Sequence, residues 1–175
     1  MKTIKVNLYS FEELSEESKE IAIENYNNSY HEFFAGEDGI NSIKAGIKYF
    51  DFDLNNWEFD YSDHNRSYVD ISSDNSELEY VRLWKYLINQ NYINDDFLSG
   101  NCPFTGYCVD ESFLDPIRNF INKPYDVTFE ELIIECVESA LIDIQNDYEY
   151  TLTEVYIAEE FEQMETEFTI DGNIY

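Results

Sequence analysis

A chain of 175 residues with 43% apolar content is long enough to fill one core, and a 17% aromatic content sets it apart from disordered acidic tails. Its formal charge of −28 at pH 7, from 38 Asp and Glu against 10 Lys and Arg, argues against direct binding to nucleic acid and favours cationic proteins as partners. The start alternates like a strand with no apolar secretory segment and no run reaches membrane-spanning length, so the expectation is a cytoplasmic protein of a bacterial host cell, without membrane contact.

Residues 3–9 alternate, with Ile4, Val6 and Leu8 on one face, and predict an N-terminal strand. Ser10-Phe11-Glu12-Glu13 fits a capping box over a short turn of helix, and Ser15 is a good N-cap for a helix ending near Asn27-Asn28. Gly36 to Gly39 reads as a break. Ile40, Ile43, Ile47 and Phe50 then recur at helical spacing up to about Tyr49. Trp57–Tyr61 and Ser67–Ile71 alternate with period two around the turn-like Asp63-His64-Asn65-Arg66, which predicts a central hairpin.

Ser76 is the expected cap of a helix carrying Trp84, Leu87 and Ile88, and a shorter helix is expected from about Ser112 to Asn122, before Pro124. Thr128-Phe129-Glu130-Glu131 is a second capping box. It opens the clearest helix, whose apolar stripe runs Phe129, Leu132, Ile133, Cys136, Val137, Ala140, Leu141, Ile144 and Tyr148. A last helix, about Thr153 to Thr166, turns Ile157, Phe161 and Met164 inward. Asp171-Gly172 then signals a tight C-terminal hairpin. The expected fold is a single α+β domain over residues 1–175. Its small antiparallel sheet is made of the N-terminal strand, central hairpin and C-terminal hairpin, packed against several helices.

Residues 124–175 hold fifteen carboxylates and no Lys or Arg. Seventeen Asn and eighteen Ile point to an AT-rich genome, which gives Lys about as readily as Asn, yet there are seven Lys. That deficit reads as selection against positive charge. On the helix from Phe129, Glu131, Glu135 and Glu138 line one flank, with Asp143 and Asp147 further along. The last helix adds Glu154, Glu159, Glu160, Glu162 and Glu165. Helix neighbours at 3/4 spacing stand about 5–6 Å apart, while phosphates follow one another at about 3.4 Å per strand of DNA, so the charge densities are of the same order. These ten residues are the candidate partner-binding set.

Other chemistry is thinly represented. Asp51-Phe52-Asp53-Leu54-Asn55 starts like a calcium loop, but Asn56 stands where Gly is needed and Ser62 where a bidentate Glu is needed, so it reads as a loop entering a strand. His31 and His64 form no recognisable triad, Cys102 and Cys108 lack zinc spacing, and Cys136 falls on an apolar face. No enzyme, metal or cofactor is expected.

The opening Leu8-Tyr9-Ser10-Phe11-Glu12-Glu13-Leu14-Ser15-Glu16-Glu17-Ser18-Lys19-Glu20 and the internal Phe104-Thr105-Gly106-Tyr107 resemble a group of small bacteriophage and prophage proteins. The resemblance implies a phage accessory protein and supplies no catalytic residues. By charge, the chain resembles phage DNA-mimic inhibitors of restriction and CRISPR systems. The expected function is therefore that of an acidic anti-defence inhibitor of a host nuclease or its complex. The alternative is an acidic interaction module, antitoxin-like or a regulator of a host enzyme, without mimicry. Homodimer formation is open.

Overall fold

The computed structural model of the chain describes residues 6–29, 34–90, 92, 103–107 and 109–175. Among these residues the fold is mixed: six α-helices and one two-stranded antiparallel sheet. Contacts group the chain into two compact units, Met1–Phe33 with Glu149–Tyr175, and Phe34–Tyr148.

In the first unit, the Ser10 N–H donates to the Glu13 carboxylate at 2.9 Å and closes the expected turn at Phe11–Glu13. Ser15 Oγ accepts from the Ser18 N–H at 3.2 Å and caps α1 (Glu16–Ser29). Thr153 Oγ1 accepts from the Tyr156 N–H at 3.3 Å at the start of the last helix, Glu154–Gln163. Phe11, Leu14, Ala22, Ile157, Phe161 and Phe168 form this unit's core, with the Phe161 and Phe168 rings edge to face at 4.9 Å. Met164, expected inward, is 62% exposed, because the helix ends there and Glu165 turns the chain with φ 50°.

The expected three-part sheet is not formed among the described residues. Tyr9 and Phe168 exchange backbone hydrogen bonds at 3.0 and 2.9 Å, and Phe168 also bridges Ile174, but these are isolated bridges. The tight turn at Asp171-Gly172 is present, with the Gly172 N–H donating to Thr169 O at 3.0 Å. Residues 3–5 of the expected first strand lie outside the described residues.

In the second unit, α2 (Phe34–Tyr49) runs through the glycines read as a break. A Cβ on Gly39 would stand 2.6 Å from Ile144 Cδ1, and one on Gly46 would stand 2.8 Å from the Phe113 ring, so both glycines are points of close packing. The hairpin pairs β1 (Asp53–Glu58) with β2 (Tyr68–Ser72), with a register shift between Leu54 and Asn56. The first strand is earlier than expected. Asp60 Oδ1 accepts from the Ser62 N–H at 2.9 Å and from the Asp63 N–H at 3.2 Å, which turns the chain away from the ladder. Bonds from the Ser62 hydroxyl and then its N–H hold the Asp60 carboxyl below its ordinary pKa.

The next helix, α3, covers Tyr80–Asn89, three residues later than the Ser76 cap predicts. Its would-be first turn is used elsewhere. Leu78 O accepts from the Phe129 N–H at 2.9 Å, Ser76 O from Glu130 at 3.2 Å, and the Tyr80 N–H donates to Val127 O. Helix α4 (Val109–Asn122) precedes the long α5 (Phe129–Thr151), and the helix at Glu154–Gln163 is α6. Every apolar stripe residue of α5 from Phe129 to Ile144 is buried.

The Thr128 box is complete. The Glu131 carboxylate accepts from the Thr128 N–H at 2.9 Å, and the Glu131 N–H donates to Thr128 Oγ1 at 3.2 Å. Thr128→Ala is expected to cost about 1 kcal/mol in urea unfolding. An unchanged midpoint would show that the cap contributes nothing to stability.

Candidate partner-binding surface

Helix geometry divides the α5 carboxylates. At about 100° per residue, Glu131, Glu135 and Glu138 share an arc of about 60°, while Asp143 and Asp147 lie about 80° and 120° round from Glu135. The expected row is therefore three residues long, and the two aspartates face another way. Glu131 and Glu138 are exposed, and Glu135 is half-buried and accepts from the Tyr125 hydroxyl. Burial and then Glu135 push the Tyr125 phenol up. Glu131 is also the capping-box residue, and the Thr128 bonds hold its carboxyl below the ordinary range.

Asp143 accepts from Ser112 Oγ of α4 at 2.7 Å. Partial burial and then repulsion from Asp143 push the Asp147 carboxyl up. The two carboxylates stand one turn apart on α5, and a cation placed near both would be attracted by both.

The five candidates of the expected last helix lie in the first unit, four on α6 and Glu165 in the turn that follows it. Glu154, Glu159, Glu162 and Glu165 are exposed, and Glu160 is half-buried beside Tyr156, whose phenol is raised by burial and then by Glu160. Glu159, Glu162 and Glu165 line a groove of about 670 Å³, together with Glu12, Glu13 and Glu167. Leu8, Phe11, Val155, Ala158 and Phe161 supply its apolar lining, and among the described residues no Lys or Arg lines it. Reading the helices as faces finds the α6 residues but misses Glu12, Glu13 and Glu167, whose place depends on the chain ends meeting at Tyr9 and Phe168.

The ion pairs formed among the described residues are Lys19–Glu16, Arg66–Asp63, and Arg118 with Glu111 and Asp115. None involves the ten candidates. Among the described residues, their charge faces solvent or neutral hydrogen-bond donors and forms no ion pair with Lys or Arg.

His64 belongs to a turn, His64–Arg66, as expected. Its backbone N–H and its Nδ1 both meet one Gln145 side-chain atom, at 3.0 and 2.6 Å. A backbone N–H only donates, so that atom is the amide oxygen and Nδ1 carries a hydrogen. The imidazole is thereby fixed beside a cleft of about 450 Å³ that Glu138 also lines. Cys136 is fully buried and its thiol is pushed up by burial, as suits core packing. Asp51 has φ 59° and leads into β1, so the segment that starts like a calcium loop is a turn entering a strand. Among the described residues, no group of three or more His, Cys, Asp or Glu is arranged to hold a metal ion, and no helix is long and apolar enough to cross a membrane. His31, Cys102 and Cys108 lie outside the described residues.

No protein family, characterised protein or solved structure matches the chain.

Proposed function

We propose that the chain is a non-enzymatic, phage-encoded anti-defence protein of the host cytoplasm. It occupies the cationic nucleic-acid-binding surface of a CRISPR or restriction nuclease complex in place of the polynucleotide. The observation that carries this reading is the set of carboxylates on α5 and α6 that have no Lys or Arg partner among the described residues, within 52 residues that contain none. Repeated like charges at helical spacing destabilise a helix by about 0.2–0.5 kcal/mol per pair, and a cationic partner reverses the sign of that term.

The test is displacement of a fluorescent DNA duplex from such a nuclease complex. Displacement is expected at low salt, with potency falling about tenfold between about 50 and 300 mM NaCl. Glu135→Gln with Glu138→Gln is expected to weaken it about threefold. Potency that does not change with salt rules the decoy out.

A second reading, an acidic interaction module without mimicry, is favoured by one specific observation. Glu159, Glu162 and Glu165 lie along an apolar groove rather than on a bare anionic ridge. That reading predicts binding to a protein with no nucleic-acid channel, and DNA left in place in the displacement assay.

A further inference from the structure

We propose that the groove of the first unit docks a cationic amphipathic helix of a partner protein. The inference rests on the proposed function only in taking a cationic protein as partner. It does not require that the partner bind nucleic acid.

The lining has two chemistries that one occupant must satisfy together. Phe11 and Phe161 belong to the core of the unit, and Val155, 61% exposed, continues that apolar surface out to solvent. Bare apolar surface of this kind calls for an apolar face. Around it stand six exposed carboxylates, and none of its described lining residues is Lys or Arg; Lys19 Nζ, 5.7 Å from the Phe11 ring centroid, is paired with Glu16 at 3.2 Å. Drawing an apolar ligand into such a ring leaves the carboxylates poorly hydrated unless the ligand brings positive charge. A single small cation answers neither the number of carboxylates nor the apolar lining.

The spacing decides the form of the occupant. Glu159, Glu162 and Glu165 recur every three residues along α6 and the turn that follows it, a rise of about 4.5 Å per step on the helix. Lys or Arg at i, i+4 on a facing helix stand about 5–6 Å apart, close to that step. A helix with an apolar stripe flanked by such cations lays the stripe on Val155 and Ala158, above the buried Phe161. Its flanking charges then reach Glu12 and Glu13 on one side and the α6 row on the other. This is the helix-in-groove mode, with specificity supplied by charge.

The probe is a fluorescent synthetic peptide of Leu and Lys at helical spacing. The control has the same composition in strict alternation, which cannot form an amphipathic helix. Anisotropy with the full chain is read at about 150 mM NaCl. The helical peptide is expected to bind at least tenfold more tightly than the alternating one, roughly the worth of a matched apolar face. Glu159→Gln, Glu162→Gln and Glu165→Gln together should weaken binding about tenfold, and Val155→Ser about threefold. Glu58→Gln, Glu77→Gln and Asp126→Asn together remove the same charge elsewhere and should change binding less than about twofold.

Equal losses from the two triple variants, or equal binding of the two peptides, overturn the proposal, because then only net charge matters. Amide shifts on the unmutated chain give a readout independent of variant folding. Changes confined to α6, residues 164–167 and residues 8–13 support the groove, and changes elsewhere overturn it. A chain that docks the helix but leaves DNA on the nuclease fails the proposed function alone. A chain that displaces DNA without docking the helix fails the groove alone.

Discussion

Replacing Asp110 by alanine is expected to destabilise the second unit by about 3–5 kcal/mol, the scale for removing one partner of a buried charged hydrogen-bond network. Asp110 is 0% exposed. Its Oδ2 accepts from the N–H groups of Phe104, Thr105 and Gly106 at 2.8, 2.9 and 3.2 Å, and its Oδ1 from the Thr105 hydroxyl at 3.3 Å. Thr105 Oγ1 is also within hydrogen-bond distance, 2.5 Å, of the buried Ser42 hydroxyl on α2. Alanine would leave three backbone donors without an acceptor, each at about 1–3 kcal/mol before relaxation. The Phe104 ring would lose its seat against Phe113 and Tyr49, at 5.7 and 5.3 Å. Asp110→Asn keeps one acceptor oxygen and should lose less. Urea unfolding checks both, and a loss below about 1 kcal/mol for alanine would show that water replaces the carboxylate. The Phe104-Thr105-Gly106-Tyr107 motif thus has a structural role: it wraps the carboxylate in the first turn of α4.

That wrap also shows which features a sequence can display. Helix starts set by local chemistry were legible: α1 and α5 start at the caps expected of Ser15 and Thr128, because capping acts within three residues, and α6 starts close to the expected Thr153. Features set by a distant neighbour were not. Gly36 and Gly39 read as a break because the reason for Gly39, Ile144 Cδ1 on another helix, is about a hundred positions away. Ser76 looked like a cap because nothing local shows that its carbonyl is taken by Glu130. The acidic row was legible as charge but not as geometry. A list of ten carboxylates does not reveal that Glu131 closes a cap, that Asp143 receives Ser112, or that Glu12 and Glu13 join Glu159 and Glu162 around one groove.

Gly172→Ala is expected to cost about 2–5 kcal/mol, where the matching Gly106→Ala costs about 1–2 kcal/mol. Both glycines have positive φ, 81° and 83°, so both substitutions meet the left-handed penalty of about 1–2 kcal/mol. The surroundings separate them. A Cβ on Gly106 meets nothing within 4 Å, whereas one on Gly172 stands 2.1 Å from the backbone oxygen of Ser18. That oxygen is not free to withdraw. It belongs to α1, and Ser18 Oγ donates to Ile170 O at 2.8 Å, fixing the helix to the same turn. Overpacking of this kind adds about 1–3 kcal/mol. The strain passes to Phe168, which carries the bridges to Tyr9 and Ile174 and packs on Phe161 of the groove lining. Helix docking should therefore weaken in Gly172→Ala and hold in Gly106→Ala, although Gly106 is the more exposed to solvent. Equal stability losses in urea would mean that the turn slides past α1 at no cost, and the two chain ends could then not define a groove of fixed width.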